Sequence, residues 1–277
     1  MIRILADSST MYTKSEGKEM NVDIAPLSVT INNQAYREYE EINDVQFYEL
    51  IKQGHLPRSS QPPVGEYMEY FETYADDDIL VLCMADGLSG AYQSCASARA
   101  NFERENIEVL NTKTLCGPHR YLLQLAIKLR NEGKSLSQIK EIMLQKIETS
   151  ISFLLPQDFG YLKRGGRLTP LAATLGGLLK IQPVMIQTED GRRLDKFAVG
   201  RNFDLAVNKV INELQEKGFN QNHRFFISHA FVPEQAQKVK EKILKAFDGA
   251  DIEIHNLSCA FITQGGPLCL AIQAIEK

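Results

Sequence analysis

The chain lacks most of the features that announce a membrane, secreted or metal-dependent protein. No stretch approaches the roughly 20 apolar residues that cross a bilayer. Met1 leads straight into the alternating Ile2-Arg3-Ile4-Leu5, without the basic leader and long apolar core of a secretory signal. A cytoplasmic location is therefore expected. The five cysteines, Cys83, Cys95, Cys116, Cys259 and Cys269, are odd in number and include no C-x-x-C pair. That argues against a disulfide framework or a zinc site and for reduced, mostly buried thiols. His55, His119, His223, His229 and His255 stand singly, with no H-E-x-x-H spacing, so no metal is expected. A basic excess is also missing. With 31 Lys and Arg against 35 Asp and Glu, the net charge is −4, which removes any global attraction to nucleic acid or anionic membrane and leaves only local anion sites.

What is present is an ordinary globular composition, 44% hydrophobic and 24% charged over 277 residues. A length above roughly 200 residues favours two lobes. The first, 1–150, alternates strand and helix. Ile2 to Ala6 and Ile24 to Ile31 read as strands, with a polar hairpin at Asn32-Asn33 and a helix over 44–53. Pro57 to Gly65 reads as a loop, because prolines and glycine deny it regular structure, and a helix over 65–75 follows. The continuous apolar run Ile79 to Met84 is the mark of a central strand in a parallel sheet. It is followed by a helix from Tyr92 to about Arg104, a strand at Ile107 to Leu110 and helices over 117–132 and 137–149. This is the pattern of a doubly wound α/β lobe. Near Ile151 the pattern changes. Strands at 183–187 and 193–199 are joined by Glu189-Asp190-Gly191, a hairpin signal, and helices over 203–217 and 233–246 mix with strands at 225–228, 252–257 and 268–275. The second lobe, 151–277, is therefore α+β, with Thr263-Gln264-Gly265-Gly266-Pro267 as a tight loop.

Three stretches carry candidate chemistry. Asp7-Ser8-Ser9-Thr10 follows the first strand, at the edge of an open sheet where ligands sit; the same residues also make a good turn or helix cap. Gly87-Leu88-Ser89-Gly90-Ala91 joins the buried strand to a helix N-terminus, which receives an anion on backbone N–H groups with a hydroxyl from Ser89. In Tyr161 to Lys180, Lys163, Arg164 and Arg167 flank a Gly-Gly pair. Thr169-Pro170 then opens a helix that is apolar on every side from Leu171 to Leu179 and weakened by Gly176-Gly177. A loosely held apolar helix beside positive charge suits a lid over an amphiphile with an acidic head. The alternative is a core helix after a solvated basic loop. A carboxylate is well held by converging neutral donors, which favour its charged form without a buried cation; Ser59, Ser60 and Ser89 are the candidates.

Four pieces taken in order resemble the DegV family of bacterial fatty-acid-binding proteins: Asp7-Ser8-Ser9-Thr10, Pro57-Arg58-Ser59-Ser60-Gln61-Pro62 with Gly65, Gly87-Leu88-Ser89-Gly90-Ala91-Tyr92-Gln93-Ser94, and Leu162-Lys163-Arg164-Gly165-Gly166-Arg167. The resemblance implies a two-domain DegV-like α/β fold that holds one long-chain fatty acid, palmitate- or stearate-like, between its lobes and needs no cofactor. It implies a carrier rather than an enzyme, one that presents the bound acid to a separate fatty acid kinase subunit for acyl-phosphate formation feeding phospholipid synthesis. Carried over residue by residue, Ser59, Ser60, Ser89, Gly90 and Gln264 would bind the carboxylate. Leu171, Leu175, Leu178 and Leu179 would line the acyl tunnel, and Arg167 and Arg201 would face the partner. Tail burial at roughly 0.8 kcal/mol per methylene would give a sixteen-carbon chain about 10 kcal/mol before ordering costs. Two positions depart from the family pattern: Gln264 stands where a histidine is common, and Ala91 where a threonine is.

Two other functions compete. Gly87-Leu88-Ser89-Gly90-Ala91 nearly matches the G-x-S-x-G elbow of serine hydrolases, for which His229 or His255 would have to serve as base. A phosphate-ester enzyme would use the same helix N-terminus with Lys163, Arg164 and Arg167, although the chain has neither a P-loop nor G-x-G-x-x-G after its first strand.

Overall fold

Ile79 to Cys83 is apolar at every position and wholly buried, and it occupies an interior place in a parallel sheet, as a run without polar alternation should. In the computed structural model of the chain, residues 1–175 and 181–277 are described. They divide into two units, Met1–Glu148 with Ser258–Ala260, and Thr149–Leu257 with Phe261–Lys277.

The first unit contains β1 (Ile2–Asp7), α1 (Lys14–Glu19), β2 (Asp23–Ala25), β3 (Ser28–Ile31), β4 (Gln34–Arg37), α2 (Asp44–Lys52), β5 (Arg58–Ser60), α3 (Val64–Thr73), β6 (Asp78–Cys83), α4 (Ala91–Arg99), β7 (Ile107–Asn111), α5 (Cys116–Asn131) and α6 (Leu136–Ile147). Its main sheet is parallel, in the order β2-β1-β6-β7, and a small antiparallel sheet has the order β4-β3-β5. Tyr67 and Phe71 from α3 and Cys95 and Ala98 from α4 pack with Ile79, Val81 and Cys83 of β6. Helix starts are marked by reciprocal caps, Thr13 with Glu16, Asn43 with Gln46 and Ser135 with Gln138, each satisfying two otherwise unpaired N–H groups. The β3–β4 hairpin turns on Asn32 and Asn33, at φ of 50° and 59°, the left-handed pair that a two-residue turn of this twist demands.

The second unit contains β8 (Ile151–Leu155), α7 (Phe159–Gly165), β9 (Gln182–Gln187), β10 (Leu194–Gly200), α8 (Phe203–Glu216), β11 (His223–His229), α9 (Pro233–Ala246), β12 (Asp251–Asn256) and β13 (Leu270–Glu276); α10 (Cys259–Gly265) precedes the last strand. The sheet runs β10-β9-β8-β13-β11-β12 and is antiparallel except for the β11–β12 pair. Val207, Val210 and Leu214 of α8 and Val239 and Ile243 of α9 bury themselves against Phe225, Ile227 and Ile272 of this sheet.

Several elements differ from the expectation. Pro57 to Gly65 is not all loop. Arg58–Ser60 pairs with β3, and the prolines bound this edge strand rather than interrupt it. The helix expected to reach Arg104 stops at Arg99, whose guanidinium donates to the carbonyls of Ile107, Phe102 and Arg104 and gathers the chain as it turns away. The loop expected around Gln264 is the last turn of α10. Gly266, at φ 82°, follows that turn as a left-handed stop, and Pro267 bars continuation. Thr169 does cap, accepting from Ala172 N–H at 3.2 Å, but what it opens is the 3-10 turn Ala172–Leu175; the rest of the expected apolar helix falls on 176–180, outside the described residues.

Candidate functional site

The end of β1 is where the sequence first suggests a ligand, and the structure puts the hydroxyls there to internal use. Asp7, Ser8, Ser9 and Thr10 are all fully buried. Asp7 caps the short 3-10 turn that they form, accepting from Ser9 N–H at 3.0 Å and from Met84 N–H at 2.8 Å. The Ser8 hydroxyl donates to Glu38 Oε1 at 2.5 Å and accepts from Leu27 N–H at 2.9 Å. The other Glu38 oxygen accepts from Ala260 N–H at 3.0 Å. Burial pushes the Glu38 carboxyl up to about 7 against the pull of these donors, because a charge taken out of water without a cation favours its neutral form. Thr10 donates to the Asp7 carbonyl at 3.1 Å.

Ser9 and His119 form a buried serine–histidine pair, Oγ to Nδ1 at 2.7 Å. It is not a hydrolytic relay. Asp7 Oδ1 approaches the same ring nitrogen, at 3.9 Å, whereas a triad sets acid and nucleophile on opposite nitrogens. Nε2 is buried without a hydrogen-bond partner, and burial lowers the His119 pKa.

The second hydroxyl turn is built differently. From β6 the chain passes through Gly87, at φ 91°, to half-buried Ser89 and Gly90, and α4 starts at Ala91. The Ser89 hydroxyl accepts from Ala91 N–H at 3.2 Å. No side chain caps Gly90, so the positive end of α4 is dressed only by that hydroxyl. Ser59 and Ser60 lie on β5, opposite Val29 and Ser28. The end of β5 is joined to the start of α4 at two points. The Gln61 amide lies against Gly90, with atoms 2.9 to 3.1 Å from where a β-carbon would stand, and the Ser94 hydroxyl donates to the Pro62 carbonyl at 2.7 Å. The carboxylate candidates Ser59, Ser60, Ser89 and Gly90 thus sit on two elements in direct contact. Gln61 and Ser94 were legible only as members of the quoted motifs; nothing in their spacing marks them as the join.

In the second unit, Gln264 reaches over Gly165, where any side chain would collide with its Oε1. Arg167 donates to the Gly165 carbonyl; burial and neighbouring Arg193 pull its pKa below the ordinary value. Arg201, Lys163 and Arg164 are exposed. Ala172 joins Leu162, Leu168 and Met185 in a small core, while Leu171 is 74% exposed. So the segment is not uniformly covered, as an ordinary core helix would be. The Leu175 side chain, Leu178 and Leu179 lie outside the described residues. Of the base candidates for a hydrolase, His255 pairs with Glu253 at 3.0 Å, and burial lowers the His229 pKa.

A further cavity of about 350 Å³ is lined by Lys14, Arg37, Glu66, Glu69, Tyr70, Thr73 and Tyr74. Its charges close on themselves, Arg37 with Glu66 at 2.6 Å and Lys14 with Glu40 at 2.9 Å. All five cysteines are buried and unpaired as disulfides, and no helix among the described residues is long and apolar enough to cross a membrane.

A family model described as "Uncharacterised protein, DegV family" matches residues 1–277. The chain belongs to the DegV family. Among solved structures it is similar to a fatty-acid-binding DegV family protein from Thermus thermophilus, 21% identical with a TM-score of 0.89, and to DegV from Bacillus subtilis, a fatty acid binding protein, 26% identical with a TM-score of 0.86; each match covers 100% of this chain and 99% of the other. A stearic acid-binding protein from Eubacterium ventriosum is 21% identical with a TM-score of 0.88 over the same shares. The α/β DegV fold, with its parallel N-terminal sheet and mixed C-terminal sheet, is thereby the fold of this chain.

Proposed function

We propose that this DegV-family chain binds a long-chain fatty acid through its carboxylate at Ser59, Ser60 and the Ser89–Gly90 turn, with Gln264 as a further donor. The observation that carries the reading is the junction of β5 with the N-terminus of α4, which joins the two elements that carry these hydroxyls at a positive helix end. Converging neutral donors at a helix end favour the charged form of a carboxylate without a buried cation. Solvent-facing Leu171 is available to the acyl tail, whose burial supplies most of the affinity; Leu175, Leu178 and Leu179 are proposed to continue that surface. The relatives that carry fatty acids support the ligand class.

In this reading the chain is a non-enzymatic carrier, and ATP chemistry belongs to a separate fatty acid kinase subunit that meets Arg167 and Arg201. Organic extraction of the protein purified from a bacterial host, followed by mass spectrometry, tests the ligand. One stoichiometric fatty acid is the expected result, and a bound phosphate ester or an empty protein refutes it. The carrier role is tested by adding the protein to a fatty acid kinase subunit with ATP. Acyl phosphate should require both polypeptides and should fall with Arg201→Ala. Acyl phosphate formed without this chain would remove the role.

A further inference from the structure

Two residues join the hydroxyl-bearing elements of the first unit without belonging to the proposed ligand contacts. Ser94 lies one turn into α4, where its N–H already closes on the Gly90 carbonyl at 2.9 Å. Its buried hydroxyl therefore reaches out of the helix, to the Pro62 carbonyl at 2.7 Å. That carbonyl is past the end of β5, beyond the reach of the ladder, and Ser94 supplies its donor. Gln61 makes the second join, its amide filling the space that the missing side chain of Gly90 leaves. The first join lies two residues beyond Ser60, and the second packs against the residue next to Ser89.

We propose that Ser94 and Gln61 are positioning residues that set the separation between Ser59–Ser60 and Ser89–Gly90, and through it the selectivity for a carboxylate over an uncharged head group. This rests on the fatty-acid reading above. The physical reason is geometric: hydrogen bonds weaken steeply with misalignment, and a carboxylate gripped from two elements at once needs both in place to within about 0.5 Å. A primary alcohol with the same tail engages fewer donors and draws its affinity from tail burial. Loosening the join therefore weakens the acid while leaving the alcohol nearly untouched, whereas a general loss of stability weakens both.

Calorimetric titration of the full chain with palmitic acid and with hexadecanol distinguishes the two. The wild type should prefer the acid. Ser94→Ala and Gln61→Ala should each cut the acid-to-alcohol preference by about tenfold, the loss of one charge-assisted contact, with alcohol affinity unchanged within about twofold. Ser94→Thr keeps the hydroxyl and should retain the wild-type preference. Equal losses for both ligands, or a wild-type preference in Ser94→Ala, would show that the residue only holds the fold together. Ser94→Ala leaves a buried carbonyl without its donor; should it not fold, Gln61→Ala, at an exposed position, decides the matter alone. A wild type that binds neither ligand refutes the fatty-acid reading itself, a result distinct from any pattern among the variants.

Discussion

Two turns leave neighbouring parallel strands β1 and β6 at the same edge of one sheet, one with three hydroxyls and one with Ser89 alone, and they have opposite fates. Asp7-Ser8-Ser9-Thr10 is sealed, and its hydroxyls are satisfied by Glu38, His119 and the Asp7 carbonyl. Ser89-Gly90 is half-open, and its hydroxyl accepts one backbone N–H. The carboxyl edge of an open sheet is where ligands gather, but position alone does not make a site. What separates the two turns is whether the rest of the chain has already supplied partners.

Glu38→Ala should break the sealed turn most severely. It strips the acceptor from the Ser8 hydroxyl and from Ala260 N–H, both buried, at a cost of about 3 kcal/mol, read as a lower urea midpoint with an unchanged slope. Acid should act on the same group in the opposite direction. The Glu38 carboxyl is raised to about 7 from an ordinary value of 4.5, so between those values the native state binds more protons than the unfolded state. This contribution is fully present below pH 4.5 and is lost as pH rises through 7, about 3 kcal/mol in all. Denaturation midpoints of Glu38→Gln, compared with wild type from pH 5 to 8, should lack that fall. For the open turn, Ser89→Ala should weaken fatty acid binding about tenfold while the melting temperature stays close to that of the wild type. A tenfold loss without unfolding is the signature of a contact to ligand. Ser9→Ala should show the reverse, costing about 1 kcal/mol by leaving His119 Nδ1 buried and unpaired, with ligand affinity unchanged in titrations of the folded protein.

The distances along the chain explain how much of this could be read beforehand. The parallel core strand is visible in six successive apolar residues, the Asn32-Asn33 hairpin in its two turn residues, and the Thr169 cap in a local Thr-Pro pair, because each depends on neighbours within a few positions. The Ser89 turn is visible for the same reason, as strand, glycine and helix follow in order. The closing of the first turn is not, since Ser8 meets Glu38 across 30 residues and Ser9 meets His119 across 110. Gln264 reads as loop because two glycines and a proline follow it, and those same residues end the helix on which it sits. β5 was hidden between prolines that lie just outside the strand.

Ala260 reaches Glu38 from 222 residues away, and Ser258–Ala260 belongs with a unit otherwise complete by Glu148. On the ribosome, therefore, the amino-terminal half cannot finish when its own stretch has emerged. Glu38 must wait for its Ala260 donor until residue 260 has emerged, and a fragment ending at Glu148 would lack that donor permanently. Division of this polypeptide at the boundary suggested by its strand order should yield a piece that folds poorly unless the three missing residues are offered back to it.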